Sequence, residues 1–132
     1  MYRAGFEDIV NIDSSARVVE IMRKRAPFLR WEHMNASELG FSAASFDATV
    51  EKGTLDALQG NSELLRAIIK EAHRTLRPGG VFLSVSFTDP EVRVEQQLRH
   101  ELSWTACRSH TFHRRRQKDN NVELQLHVCR RP

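Results

Sequence analysis

The chain is poor in the residues that mark specialised proteins. Its 132 residues hold only two cysteines, and Cys107 and Cys129 have neither Cys-x-x-Cys spacing nor a histidine arrangement suited to a metal. The pair is read as two reduced, half-buried thiols of an intracellular protein, although they would face each other if their segments form a hairpin. No stretch approaches the roughly eighteen consecutive apolar residues that span a bilayer, so no membrane partner is expected. The opening "MYRAGFEDIV" has no apolar core and no small-residue cleavage site, so nothing in it marks secretion. There is no internal repeat and no linker long enough to divide the chain. With 40% apolar and 28% charged residues, residues 1–132 read as one globular domain with one core.

Acidic charge is scarce only at the end. Residues 1–98 carry 12 Lys/Arg against 14 Asp/Glu, whereas residues 99–132 carry 8 against 3. The excess centres on "HRRRQKDNN", residues 113–121. Such a basic tip could dock an acidic protein or a nucleic acid. A solvated loop between two strands is the plainer reading, since no aromatic interleaving accompanies it, and a nucleic-acid role is not expected.

What is present alternates between strand and helix patterns. "DIVNID", residues 8–13, is a β-branched run ending in an acid and reads as a buried parallel strand. Ser14 and Ser15 offer N-cap oxygens for "ARVVEIMRKRA", whose last turn holds Arg23, Lys24 and Arg25 where the helix dipole favours cations. "LRWEHM" alternates like an edge strand. "SFDATVEK" is a strand that ends in adjacent opposite charges and Gly53. "SELLRAIIKEAHRTL" is a helix with Leu64, Leu65, Ile68, Ile69, Ala72 and Leu76 at helical spacing. "RPGG" predicts a turn that ends it. "VFLSVSF" is the strongest strand. "DPEVRVEQQLRHEL" predicts a helix with Asp89 as N-cap and Pro90 at its first position. "SWTACRSHTF" and "VELQLHVC" flank the basic turn as an antiparallel hairpin. This order implies a layered α/β sheet with right-handed crossovers, whose ligands bind beyond the carboxyl ends of the strands. Asp13, Asn35 and Glu51 stand at three such ends.

The succession "VNIDSS", "MNASELGFSAASFDATVEKGTLDAL", "AHRTLRPGGVFLSVSF" resembles the class I S-adenosylmethionine-dependent methyltransferases. Within them, "EKGTLDAL" is similar to the Glu/Asp-Lys-Gly-Thr-Leu/Trp-Asp-Ala signature of a protein-lysine methyltransferase branch. That branch acts on translation elongation factor 1-alpha and on citrate synthase, and "SFTDPEVR" and "LSWT" look closest to the citrate synthase enzyme. The resemblance covers roughly residues 2–110. It implies a Rossmann-like methyltransferase sheet, mostly parallel with a C-terminal antiparallel hairpin, and S-adenosylmethionine as cofactor.

The resemblance also implies roles. Asp13 would accept hydrogen bonds from the ribose hydroxyls, or else cap the next helix. Ser14 would lie near the adenosine, or serve as an N-cap. Asn35 and the Ala36 N–H would meet the adenine, although a plain turn asparagine is an equal reading. Glu51 and Lys52 would reach the methionine part of the cofactor, with a surface salt bridge as the other reading of Lys52. Glu51 and Asp56 are the candidate catalytic carboxylates, orienting a lysine amine that must be deprotonated to attack. Gly53 allows close backbone approach or positive φ, and Thr54 would cap a short helix through Leu58. His73, Trp31 and Trp104 read as structural, and no metal is expected.

The chain departs from the family at its start. The family's first strand, its Gly-x-Gly loop and its first helix precede the strand ending in the ribose-binding acid, and none of the six glycines forms Gly-x-Gly. The expectation is therefore a sheet lacking its first strand and helix, from a fragment or truncated gene product that is weak or inactive alone. The function implied is an S-adenosylmethionine-dependent methyltransferase acting on a protein lysine, in the cytoplasm or mitochondria. The alternative is a catalytically dead methyltransferase-like module that binds a protein partner, and a small-molecule acceptor is a third reading.

Overall fold

The computed structural model describes residues 1–98, 102–115 and 121–132. The chain divides into two compact units, Met1–Gly40 and Phe41–Pro132.

The first unit is a β-α-β element. β1 (Val10–Asp13) and β2 (Arg30–His33) run parallel, with Val10 opposite Arg30 and Asp13 opposite His33. Strand β1 begins two residues later than its pattern suggested. A parallel pair needs a crossover, and α1 (Ala16–Arg25) supplies it. Of the two candidate caps it is Ser15 whose hydroxyl accepts the Val18 N–H at 3.3 Å. The helix stops at Ala26, before Pro27. Its last turn is tied to β2, because the Arg23 guanidinium donates from Nε (3.0 Å) and Nη2 (2.7 Å) to the Trp31 carbonyl.

The second unit is a four-stranded sheet in the order β3-β4-β6-β5. β3 (Phe46–Lys52) and β4 (Leu76–Ser86) are parallel and joined through α2 (Ser62–Thr75). β5 (Ala106–Arg115) and β6 (Asn121–Arg130) form the expected antiparallel hairpin, with β6 laid antiparallel against β4. The basic turn, residues 116–120, lies outside the described residues. Asn61 caps α2, its Oδ1 accepting the Leu64 N–H at 3.0 Å. The helix buries Leu65, Ile68, Ile69 and Ala72 as their spacing predicts, and the core continues through Leu76, Phe82, Val94 and Leu98. Each such side chain contributes about 1.5–3 kcal/mol of burial. His73 packs edge-on against Trp104, with ring centroids 4.8 Å apart, and its Nε2 meets the Ser103 carbonyl at 3.2 Å. Both residues are structural, as their positions suggested.

Three local expectations change. "RPGG" does not separate α2 from a strand starting at Val81. Leu76 already pairs with Phe46, and Val81 next pairs with Ala48, so the four residues bulge within β4. A side chain at Gly80 would place Cβ 2.8 Å from the Arg77 carbonyl oxygen, so the bulge requires glycine there. The helix after Asp89 begins as its sequence implies, with Asp89 Oδ1 accepting the Glu91 N–H at 2.8 Å. It winds as a π-helix over Glu91–Leu98, and the next three residues of the expected helix lie outside the described ones. The cysteines are not free thiols. The hairpin register sets Cys107 directly opposite Cys129, with Cα atoms 4.1 Å apart, and the sulfurs are bonded.

The bond joins residues 22 apart, and closing a loop of that length stabilises the folded chain by about 3 kcal/mol. Thermal unfolding with and without dithiothreitol measures this: the midpoint is expected to fall on reduction, and Cys107→Ser is expected to match the reduced protein.

Candidate active site

Each unit gathers its own candidate residues at the carboxyl ends of its parallel strands. In the first, Asp13 closes β1, and its Oδ1 accepts the Ser15 N–H at 2.8 Å. This bond closes a turn ahead of the helix, whose N-cap is Ser15 rather than Asp13, and Oδ2 carries no further bond to described residues. Ser14 is exposed, and its carbonyl faces His33 Nε2 at 3.0 Å. The Met34 N–H donates to the Asp13 carbonyl at 3.1 Å, which extends the ladder and sets Asn35 beside Asp13. Asn35 turns the chain, its Oδ1 accepting the Ser37 N–H at 3.0 Å, and Ala36 is half-buried within that turn.

In the second unit, β3 ends at Lys52, which is exposed and in register with Val85. Glu51 is in register with Ser84, whose hydroxyl donates to its Oε1. Its Oε2 accepts the N–H groups of Thr54 (3.0 Å) and Leu55 (3.3 Å). Glu51 thus ties down the backbone just ahead of the short 3-10 helix Asp56–Leu58, for which Thr54 supplies no cap. Gly53 has φ 76° and nothing within 4 Å of where a Cβ would lie. Its requirement is conformational rather than steric.

Asp56 is enclosed by donors. Its Oδ1 accepts the Ser86 hydroxyl (2.5 Å), the Thr88 hydroxyl (3.0 Å) and Arg93 Nη2, and Oδ2 accepts the Phe87 N–H (2.9 Å). Thr88 also accepts Gln59 Nε2 at 2.5 Å. Arg93 is fully buried. Burial alone would raise the Asp56 pKa, but bonds from Ser86, Phe87 and Thr88 and the charge of Arg93 hold it below the usual carboxylate value. A carboxylate offers about four lone-pair sites. On Asp56 three of these bonds fall on Oδ1 and one on Oδ2, and on Glu51 one falls on Oε1 and two on Oε2, so each carboxylate keeps one oxygen able to accept again, and only Asp56 is paired with a buried guanidinium.

Sequence reasoning missed Ser84, Ser86, Thr88, Arg93 and His127. In register across β3, β4, β6 and β5, Glu51, Ser84, His127 and Ser109 form one polar row. His127 is fully buried, with Nδ1 2.8 Å from the Ser109 hydroxyl. Burial, and then the charge of Arg93, hold its pKa below the ordinary histidine value. The available signal was the alternation of Ser84 and Ser86 inside an otherwise apolar strand.

A parallel sheet with crossover helices, closed by an antiparallel hairpin and carrying acids at its strand ends, is the Rossmann-like architecture of class I methyltransferases. The methyltransferase-domain family matches residues 1–84, and the chain belongs to that family. It is 34% identical over 119 residues to the EEF1A lysine methyltransferase 4 of Bos taurus, covering 80% of this chain and 47% of that protein. It is 28% identical over 134 residues to the eEF1A lysine and N-terminal methyltransferase of Danio rerio, covering 97% of this chain and 19% of that one. The chain thus spans about half the length, or less, of these curated relatives. Among solved structures, a SAM-dependent methyltransferase of Methanosarcina mazei aligns with a TM-score of 0.71 at 17% identity, over 92% of this chain and 81% of that one. The N-methyltransferase NodS of Bradyrhizobium japonicum, solved with S-adenosyl-L-homocysteine, aligns with a TM-score of 0.70 at 18% identity, over 93% and 66%.

Asp56→Asn leaves the buried guanidinium without its counter-charge and is expected to destabilise the fold by about 3 kcal/mol at neutral pH. Because the Asp56 pKa is depressed, its contribution is present above the ordinary carboxylate pKa and is lost as pH falls below about 4. Denaturant unfolding across pH checks this, with a shallower acid limb expected for the variant.

Proposed function

We propose that this chain is the part of an S-adenosylmethionine-dependent protein-lysine methyltransferase that carries the acceptor-facing rim. The observation that carries this reading is Glu51, held at the end of β3 by Ser84 and two backbone N–H groups and still able to accept one more hydrogen bond. The names of the relatives support a lysine acceptor on a protein, with elongation factor 1-alpha the first to try. The "EKGTLDA" segment and the acids at the strand ends support the same class.

The residues present fit the cofactor. In the first unit, Oδ2 of Asp13 suits a ribose hydroxyl, with Ser14 beside it, and Asn35 with the Ala36 N–H suits an adenine edge. Taken by itself, the second unit offers Glu51 and Lys52 as polar groups at the carboxyl end of β3. When bound, the cofactor supplies an electrophilic methyl group on sulfur. The protein's task is then to present a neutral amine. Glu51 would accept an N–H from that amine and orient its lone pair, while Asp56, tied to four internal donors that include the buried Arg93, would hold the rim in shape. Lys52, exposed beside them, would disfavour the ammonium form through like-charge repulsion.

A second reading, a catalytically dead module that binds a protein partner, is supported by the absence of a Gly-x-Gly sequence among the six glycines and by the internal donors that surround Asp56.

Transfer from tritiated S-adenosylmethionine to recombinant elongation factor 1-alpha and citrate synthase separates the two readings. Slow labelling of a lysine is expected, falling about 100-fold in kcat with Glu51→Gln at a little-changed acceptor KM. Absence of transfer to any protein of a cell lysate would favour the dead module. Calorimetry tests the cofactor site separately. Without a Gly-x-Gly loop, the 132-residue chain is expected to bind S-adenosylmethionine more weakly than micromolar, and Asp13→Ala more weakly still.

A further inference from the structure

The second unit's sheet has two outer strands, β3 and β5, and β5 is the longer. Its far edge therefore presents ten residues of backbone with no strand partner among the described residues. A long open edge is a template for another strand, and soluble proteins usually guard it with charge. Here the charge has one sign. "ACRSHTFHRR" contains three arginines, two histidines and no acid.

The period of two divides this strand into different faces. Cys107, Ser109 and Thr111 turn to one side, where Cys107 is bonded to Cys129, Ser109 meets His127 and Thr111 donates to Gln125 Oε1 at 2.8 Å. These ties hold the edge in a fixed register. Ala106, Arg108 and His110 turn to the other side. With Val81, Val128 and Arg130 they line a concavity of about 400 Å³. Its floor is apolar, its rim is cationic, and none of these lining residues is acidic. Arg108, His110 and Arg130 are all exposed.

We propose that the β5 edge and this concavity bind an extended acidic segment of a partner protein by strand addition. Backbone bonds along β5 would give register, Arg108 and, reaching out from β6, Arg130 would donate to carboxylates, and alternate side chains of the added strand would pack beside Ala106, Arg108 and His110 at the near side of the concavity. A second copy of the chain is disfavoured, because it would bring the same cationic row against itself. The lining holds no aromatic ring on which a base could stack, which favours peptide over single-stranded nucleic acid.

Fluorescence anisotropy on the whole chain tests this with a labelled peptide of about eight residues alternating Glu and Val, its Lys/Val counterpart, and oligouridine. The acidic peptide is expected to bind about tenfold or more tighter than the basic one, and Arg108→Glu to remove that preference. N-methylation of alternate peptide nitrogens is expected to weaken binding to a similar degree, and bound peptide to slow hydrogen exchange along β5. Equal binding of the two peptides, indifference to Arg108→Glu, tighter binding of oligouridine, or self-association that protects β5 without peptide would each overturn the proposal. No readout involves methyl transfer, so failure here is distinct from failure of the proposed activity.

Discussion

A guanidinium buried without solvent needs a carboxylate, and in this chain Arg93 finds one in Asp56, thirty-seven residues earlier. Desolvating two charges costs several kcal/mol each, and the pair repays it only because further donors complete the geometry. Ser86, Thr88 and the Phe87 N–H do so. The arrangement joins the turn after β3 to the end of β4 and to the π-helix. Glu51 in turn holds the backbone of Thr54 and Leu55, just ahead of the short 3-10 helix that carries Asp56, so both carboxylates belong to one bonded assembly. An apolar contact could hold these segments together, but it would not fix which oxygen faces outward.

The polar row across the sheet extends the same constraint. A β-sheet face covered by a helix is ordinarily apolar, and here Phe82 gives way to Ser84 and Ser86 along β4. Ser84 serves Glu51, Ser86 serves Asp56, and His127 stays below its usual pKa, through burial and then the charge of Arg93. Departures from core patterning concentrate where function is placed. The row sets polar groups side by side across all four strands, from Glu51 to Ser109.

Much of the architecture was legible because it is periodic or local. The stripe on α2, the Ser15 and Asp89 caps and the hairpin follow from spacing within a dozen residues. What could not be read is long-range. Arg93 carries no signal of burial in the sequence, because its partner Asp56 lies thirty-seven residues away. Thr54 looked like the cap because capping preferences describe side chains next to a helix, whereas Glu51 reaches the backbone ahead of it from the end of a strand. "RPGG" looked like a terminator because proline and glycine usually are, yet Leu76 already bonds to Phe46 before it. Asp13, Ser14, Asn35, Ala36, Glu51, Lys52 and Asp56 were found as positions at strand ends. That Asp56 is paired with a buried guanidinium while Glu51 holds backbone N–H groups appears only with the hydrogen bonds.

The bond between Cys107 and Cys129 has a consequence for parity. Side chains along β5 alternate between two environments, one of hydroxyls and a buried histidine, the other of arginine and imidazole facing water. Sliding β5 by one residue against β6 would exchange the two sets, burying Arg108 and exposing Ser109. Backbone ladders tolerate such a slip, since every position offers the same groups. A covalent cross-link does not, so the staple acts as an index mark that keeps the cationic set on the outside.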